Sequence, residues 1–236
     1  MSATTPPADF LVEAQGVVLS AYPDADPFDF SIRPGEHWLL RGASRSGKTP
    51  LLKTLCGMVS PAVGRIMLFG NDVQSLAPAR LLDLRRRIGF VFSLDGLLPA
   101  WSGFENLALP LKYHNQGSDE EIVHRVDAFA RRYGVPDEWM NNPVGGLSTE
   151  RRATLALLRA LLVDPDLLFV DGLVLDAIVA FSGIRAAELL ADVLADSRAV
   201  VLAVTDDDQG LPASLGRAPF RTAEMRNGQL QLKSVG

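Results

Sequence analysis

The chain has a single cysteine, three histidines and no clean apolar run long enough to cross a bilayer. Each shortage excludes something. One cysteine, Cys56, cannot make an intrachain disulfide framework. It suits a reducing compartment and reads as a small buried apolar residue. His37, His114 and His124 show no metal-ligand spacing. The most apolar stretch, 155–181, is broken by Arg159, Asp164, Pro165, Asp166, Asp171 and Asp176, so any membrane role must come through a partner. Residues 1–9 are polar and proline-containing, unlike a secretory signal. Excess positive charge is also missing: 23 Lys and Arg against 28 Asp and Glu give a net charge of −5, which argues against a nucleic-acid binder. The local clusters Arg85-Arg86-Arg87 and Arg151-Arg152 read as solvated helix faces.

What is present is core-forming material. Of 236 residues, 47% are hydrophobic, enough for one domain with subdivisions. Residues 1–8 read as a loose tail and 9–236 as a single domain. Strand character appears at 10–19, 28–32, 37–41, 64–69, 88–92, 167–171, 199–204 and 229–233. Residues 70–72 read as a turn. Helices are expected at 51–56, 78–87, 105–113, 119–133, from a Ser148 cap to about 162, and at 184–195. In 119–133, Ile122, Val126, Phe129 and Ala130 share a helical face. Apolar strands alternating with helices predict an α/β protein with a mostly parallel sheet flanked by helices. Its ligand should sit at the carboxyl ends of the strands.

The densest chemical signal is Gly42-Ala43-Ser44-Arg45-Ser46-Gly47-Lys48-Thr49, a full match to the phosphate-binding pattern G-x-x-x-x-G-K-[ST]. Glycines let successive N–H groups converge on phosphate oxygens, and the following helix adds its own unpaired N–H groups and positive dipole end. Lys48 is a point charge for the β- and γ-phosphates and the Thr49 hydroxyl a Mg²⁺ ligand. Pro50 is tolerated in the first helical turn, where its missing N–H has no intrahelical partner.

Further landmarks follow in order: Gly89-Phe90-Val91-Phe92; Leu97-Leu98-Pro99-Ala100-Trp101-Ser102-Gly103-Phe104-Glu105-Asn106; Gly145-Gly146-Leu147-Ser148 before Arg151-Arg152; Leu167 to Asp171; and Met225-Arg226-Asn227-Gly228-Gln229-Leu230. The ordered set resembles the ATP-binding cassette (ABC) family from about residue 10 to 232. The segment 108–114 is similar to ATPases of importers and Mla/MCE-type lipid transporters. The resemblance implies a P-loop NTPase fold with a small antiparallel β subdomain, a helical subdomain at about 93–160 and a C-terminal hairpin. It also implies ATP and Mg²⁺ as ligands.

Carried over residue by residue, the resemblance exposes departures. Asp171 matches the aspartate that holds Mg²⁺, and otherwise reads as an acidic strand-end or cap residue. The next position, a glutamate in active members, is Gly172, which cannot accept a proton. The Q-loop glutamine falls on Ser93, which could contact metal through water. The switch histidine falls on Thr205 or Asp206. In the signature, Ser148 survives, while Thr149 and Glu150 replace glycines that would close on a γ-phosphate. Glu150 also reads as a first-turn acid favourable to the helix dipole. Arg45 stands where the family has glycine. It would be strained at φ > 0, or its guanidinium could reach a phosphate or an acidic partner. Tyr22 lies near the family's adenine-stacking aromatic, with Phe28 or Phe30 as competitors and a core role as the alternative.

The expected function is therefore an ATP-binding subunit of a membrane transporter with damaged catalytic machinery. It would pair with a second cassette chain and dock onto permease subunits through the loop around 93–101, at the cytoplasmic face of the membrane. Two other readings remain: a structural or regulatory pseudo-ATPase without nucleotide, and a working ATPase whose base is displaced to Asp176, Asp206 or Asp207.

Overall fold

In the computed structural model, residues 9–91, 96–171, 189, 192–194, 199–204 and 220–233 are described. β1 (Val12–Val18) and β2 (Phe28–Ile32) pair antiparallel. β3 (His37–Arg41) leads through the loop 42–47 into α1 (Lys48–Leu55). β4 (Val63–Leu68) and β5 (Asn71–Asp72) complete a four-stranded antiparallel sheet of order β2-β1-β4-β5. Asn71 and Asp72 are thus a short strand and not only a turn, because they pair with Leu68 and Met67.

α2 (Pro78–Arg85) and β6 (Ile88–Val91) precede a run of helices: α3 (Gly103–Tyr113), α4 (Asp119–Arg132), the short α5 (Asp137–Asn141) and α6 (Thr149–Leu162). β7 (Leu167–Val170), β8 (Ala199–Val204), β9 (Arg221–Arg226) and β10 (Gln229–Leu232) follow. The second sheet has the order β10-β9-β3-β8-β7-β6. Every pairing in it is parallel except that of β10 with β9.

Period-two alternation along the central strands divides the interior into two layers. Leu39, Leu168, Val170, Val200 and Leu202 face one core together with α3, α4, α5 and α6. Trp38, Leu40, Leu167, Phe169, Val201 and Ala203 face the other, shared with α1 and the antiparallel sheet. Both faces of the strands are covered, which explains their continuously apolar sequences. In α4 the expected stripe is real: Ile122, Val126 and Ala130 are buried and Phe129 packs against the same core. α5 escapes sequence reading because five residues carry no period, yet its Trp139 and Met140 are buried. β9 escapes periodicity as well, since only Ala223 and Met225 alternate inward among polar residues, although the resemblance implied the hairpin it opens.

The lone thiol of Cys56 is fully buried, and burial pushes it up to about 12. The basic run before β6 is only partly a solvated face. Arg85 donates to the carbonyls of Cys56 and Gly57, and Arg87 pairs with Asp166 at 2.7 Å while covering the Phe69 ring.

Asn106, in α3, has a wholly buried side chain that organises the preceding loop. Its Oδ1 accepts the Leu98 N–H at 2.7 Å, and its Nδ2 faces the carbonyls of Leu98, Trp101 and Ser102 at 2.9–3.3 Å. The loop is tied onward to the entry of α6, because Val144 N–H donates to the Trp101 carbonyl and Gly145 N–H to that of Pro99, both at 2.9 Å. Asn106→Ala would leave these buried groups unsatisfied. It should cost about 2–3 kcal/mol in chemical denaturation.

Glu36 links β3 to β9. Its carboxylate takes Arg221 at 2.5 Å, the Arg33 N–H at 3.0 Å and the Trp38 indole at 3.2 Å. Partial burial opposes its ionisation, but these donors outweigh it and hold the carboxyl below the usual range. A lowered folded-state pKa means that this stabilisation is present above the unfolded value and is lost as pH falls through the folded one. Glu36→Gln should therefore lower stability by about 1 kcal/mol at neutral pH, with the difference from wild type vanishing on the acid side. Urea titrations across pH 3–7 check it.

Candidate functional site

The loop 42–49 leaves the carboxyl end of the central strand β3, where a parallel sheet presents its ligands. Its path depends on residues without side chains. A Cβ on Gly42 would strike the Met225 carbonyl oxygen of β9 and lie 2.6 Å from Ser46 Oγ. Gly47, at φ 115°, would carry a Cβ only 2.9 Å from Met225 Cε. Between them the loop folds over its own lysine: Lys48 is buried and its Nζ donates to the carbonyls of Gly42 at 2.5 Å and Ala43 at 2.8 Å. The Ser46 hydroxyl is buried without a partner. Ala43, Ser44 and Arg45 form the exposed crown. Pro50 follows Lys48 and Thr49 in the first turn of α1, where its lack of an N–H costs nothing.

The far end of the loop meets β7. Thr49 Oγ1 donates to Asp171 Oδ2 at 2.5 Å, joining groups 122 residues apart. Asp171 is buried, and its own N–H is held by the Val91 carbonyl at 2.8 Å. These residues fit both expected ligands. An unsatisfied buried hydroxyl, a cradle closed to any Cβ and an ammonium set inside backbone carbonyls suit phosphates. An adjoining hydroxyl and carboxylate are the hard oxygen donors that Mg²⁺ takes.

Elements far away in sequence brace the loop. Asn227 and Gly228, both at positive φ (48° and 84°), make the two-residue turn between β9 and β10. The Gly228 N–H donates to the Ser46 carbonyl at 2.9 Å. Tyr22, half-buried, lies beside the loop, with its ring along Gly47 and Gly228 and its hydroxyl donating to the Arg45 carbonyl. Phe28 and Phe30 are buried in the core with β2, so neither competes with Tyr22 for this place. Arg45 adopts φ 61°, the left-handed region, and its side chain points into solvent. Sequence reading missed the bracing by the hairpin. The Asn-Gly turn is legible, but nothing local says that it lands on the loop.

The signature-like residues form a separate feature. Ser148 caps α6 by accepting the Arg151 N–H at 3.5 Å, and Thr149 is the first helical residue. The Ser148 hydroxyl, the largest influence, and the Glu150 backbone hold the Glu150 carboxyl below its usual range. These bonds stay within the first turn of the helix, and none reaches the loop. Ser93, Gly172, Asp176, Thr205, Asp206 and Asp207 lie outside the described residues.

A glycine-rich loop between a central parallel strand and a helix, closed by a hydroxyl and an acidic strand end, defines a P-loop nucleotide-binding protein. The chain belongs to the ABC transporter family, whose model matches residues 25–173.

Among curated relatives, it is 39% identical over 142 residues to the macrolide export ATP-binding/permease protein MacB of Syntrophobacter fumaroxidans, covering 59% of this chain and 20% of that one. It is 34% identical over 147 residues to the lipoprotein-releasing system ATP-binding protein LolD of Chromohalobacter salexigens, covering 62% and 61%. The cell division ATP-binding protein FtsE of Escherichia coli matches at 34% over 142 residues, covering 60% and 63%. The match thus spans from a fifth to about three-fifths of these relatives' lengths.

Among solved structures, the dimeric bacterial ABC transporter cassette MJ0796 superposes with a TM-score of 0.78 at 22% identity, covering 95% of this chain and 100% of that one. CbiO1 of Clostridium perfringens, part of the ABC transporter complex cbiONQ, superposes with 0.73 at 21%, covering 95% and 88%. These likenesses show the fold.

The Gly42 contact yields a direct test. Gly42→Ala should force the loop away from Met225, costing about 1–3 kcal/mol of stability. Amide exchange in 43–49 should accelerate, while exchange in α4 follows only the global loss.

Proposed function

We propose that this chain is the ATP-binding subunit of a membrane ABC transporter and that it holds Mg·ATP while hydrolysing it slowly or not at all. The observation that carries the reading is the bond between Thr49 and Asp171 at the end of an intact phosphate loop, with glycine as the next residue along the chain. Lys48, the loop amides and the Ser46 hydroxyl would bind the triphosphate, and Thr49 and Asp171 would hold the cation. When bound, Mg²⁺ supplies charge neutralisation between the phosphates. The chain supplies the binding half of the chemistry. At position 172 it has no carboxylate to take a proton from water, a loss worth about 10²–10⁴ in rate.

The partners in this reading are permease subunits and a second cassette chain, with the protein peripheral at the cytoplasmic face of the membrane. Among the described residues no helix is long and apolar enough to cross a membrane. Leu98 and Trp101 are exposed on the loop that Asn106 organises, and they suit contact with a permease. A groove of about 370 Å³ offers a second surface. Phe90, Leu109, Pro110 and Tyr113 line it beside Arg159, whose charge is opposed by burial. The relatives named for export, lipoprotein release and cell division lie at similar identities, so the transported substrate and its direction do not follow from them.

Calorimetry of Mg·ATP binding to the wild type and to Lys48→Ala, with phosphate release followed in the same samples, tests the proposal. Binding that Lys48→Ala weakens at least about 10-fold, without release, is the expected outcome. No binding by the wild type would favour a scaffold that binds only proteins. Release that depends on Lys48 would overturn catalytic silence and direct attention to Asp176, Asp206 and Asp207 as substitute bases.

A further inference from the structure

We infer that Tyr22 is a positioning residue of the phosphate loop. Its hydroxyl holds the Arg45 peptide in the left-handed turn that the loop requires, so it acts on the triphosphate through the loop. Arg45 is an L-residue at φ 61°, where a side chain disfavours the backbone, and it sits at the crown of the loop. The carbonyl of that same residue accepts the Tyr22 hydroxyl. The next carbonyl, that of Ser46, accepts the Gly228 N–H at 2.9 Å. Two successive peptides of the loop are therefore held from outside it, one by each partner.

Tyr22 is itself fixed. Its N–H donates to the Leu19 carbonyl at 2.9 Å, and its carbonyl accepts the Ala25 N–H at 3.1 Å. Asp26 pins the same segment to β10 by accepting from Gln229 Nε2 at 2.5 Å. The ring is committed to the loop as well. Its Cε2 would be 3.1 Å from a Cβ on Gly47, and its Cγ 2.5 Å from one on Gly228. A hydroxyl spent on the backbone and a ring laid along two glycines leave Tyr22 acting through the loop.

The experiment uses the full chain as wild type, Tyr22→Phe, Arg45→Gly and the double variant. Tyr22→Phe keeps the ring and removes only the bond. Amide exchange of 43–49 is read without nucleotide, and the affinities for Mg·ATP and for inorganic tripolyphosphate with Mg²⁺ are read by calorimetry. Tyr22→Phe should accelerate exchange and weaken both ligands alike, about 3- to 10-fold. With glycine at position 45 the turn needs no restraint, so the penalty should shrink to within about 2-fold. An equal penalty in both backgrounds overturns the inference. So does a loss confined to ATP, which would assign Tyr22 to the base. The binding arm rests on the nucleotide reading. Should the wild type bind neither ligand, that reading fails, and the exchange rates of the four proteins alone decide the inference.

Discussion

The rest of the molecule is arranged around one close approach, the passage of the Met225 carbonyl over Gly42. It is possible because β3 is paired in parallel on both sides, by β8 and by β9. That places the last hairpin of the chain against the loop leaving β3. A side chain at position 42 would separate the two, and with them the contact of Gly228 with Ser46. The sheet fixes where the loop begins, α1 fixes where it ends, and the hairpin fixes its height above the sheet.

The conformation of the loop is consequently a property of several chain segments. The segment around Tyr22 comes before β3, and the Asn227-Gly228 turn comes close to the end of the described chain. Arg45 in the left-handed region costs about 1–2 kcal/mol. A neutral hydrogen bond returns about 1 kcal/mol. The terms are comparable, so a glycine is dispensable at the crown as long as an outside group holds its carbonyl. Strain retained at a binding loop and compensated by neighbours is the expected arrangement where a backbone must be preset for its ligand.

In the proposed function, holding and hydrolysing are separable. Holding needs a loop closed to side chains, a buried ammonium and a hydroxyl beside a carboxylate, all of which the chain has. Hydrolysis also needs a base at the attacking water, and glycine follows Asp171. At the start of α6, Thr149 is the first helical residue, Glu150 is held within its own turn, and Ser148 spends its hydroxyl on the cap. That helix entry is well made as a helix entry, while side chains replace the bare backbone that a phosphate clamp needs.

Much of this was readable from residue order. The strands 28–32, 37–41 and 199–204, the Ser148 cap and the apolar stripe of α4 are local consequences of alternation, period and capping chemistry, and they stand at those positions. Gly42, Gly47, Lys48 and Thr49 announced a phosphate loop because the pattern is itself a local conformation. The short α5 was illegible and the half-polar β9 came only from the resemblance to a C-terminal hairpin, since neither carries a period that local physics can enforce. The contacts of the loop were illegible too. That Asp171 would meet Thr49, that Met225 would exclude a side chain at position 42, and that Tyr22 would turn its hydroxyl to Arg45 depend on which strands become neighbours. Sequence alone determined the periodic elements and the chemistry available at the loop. Tertiary structure decided which distant groups restrain it, because strand order is set by burial of both sheet faces over the whole chain and not by any one segment.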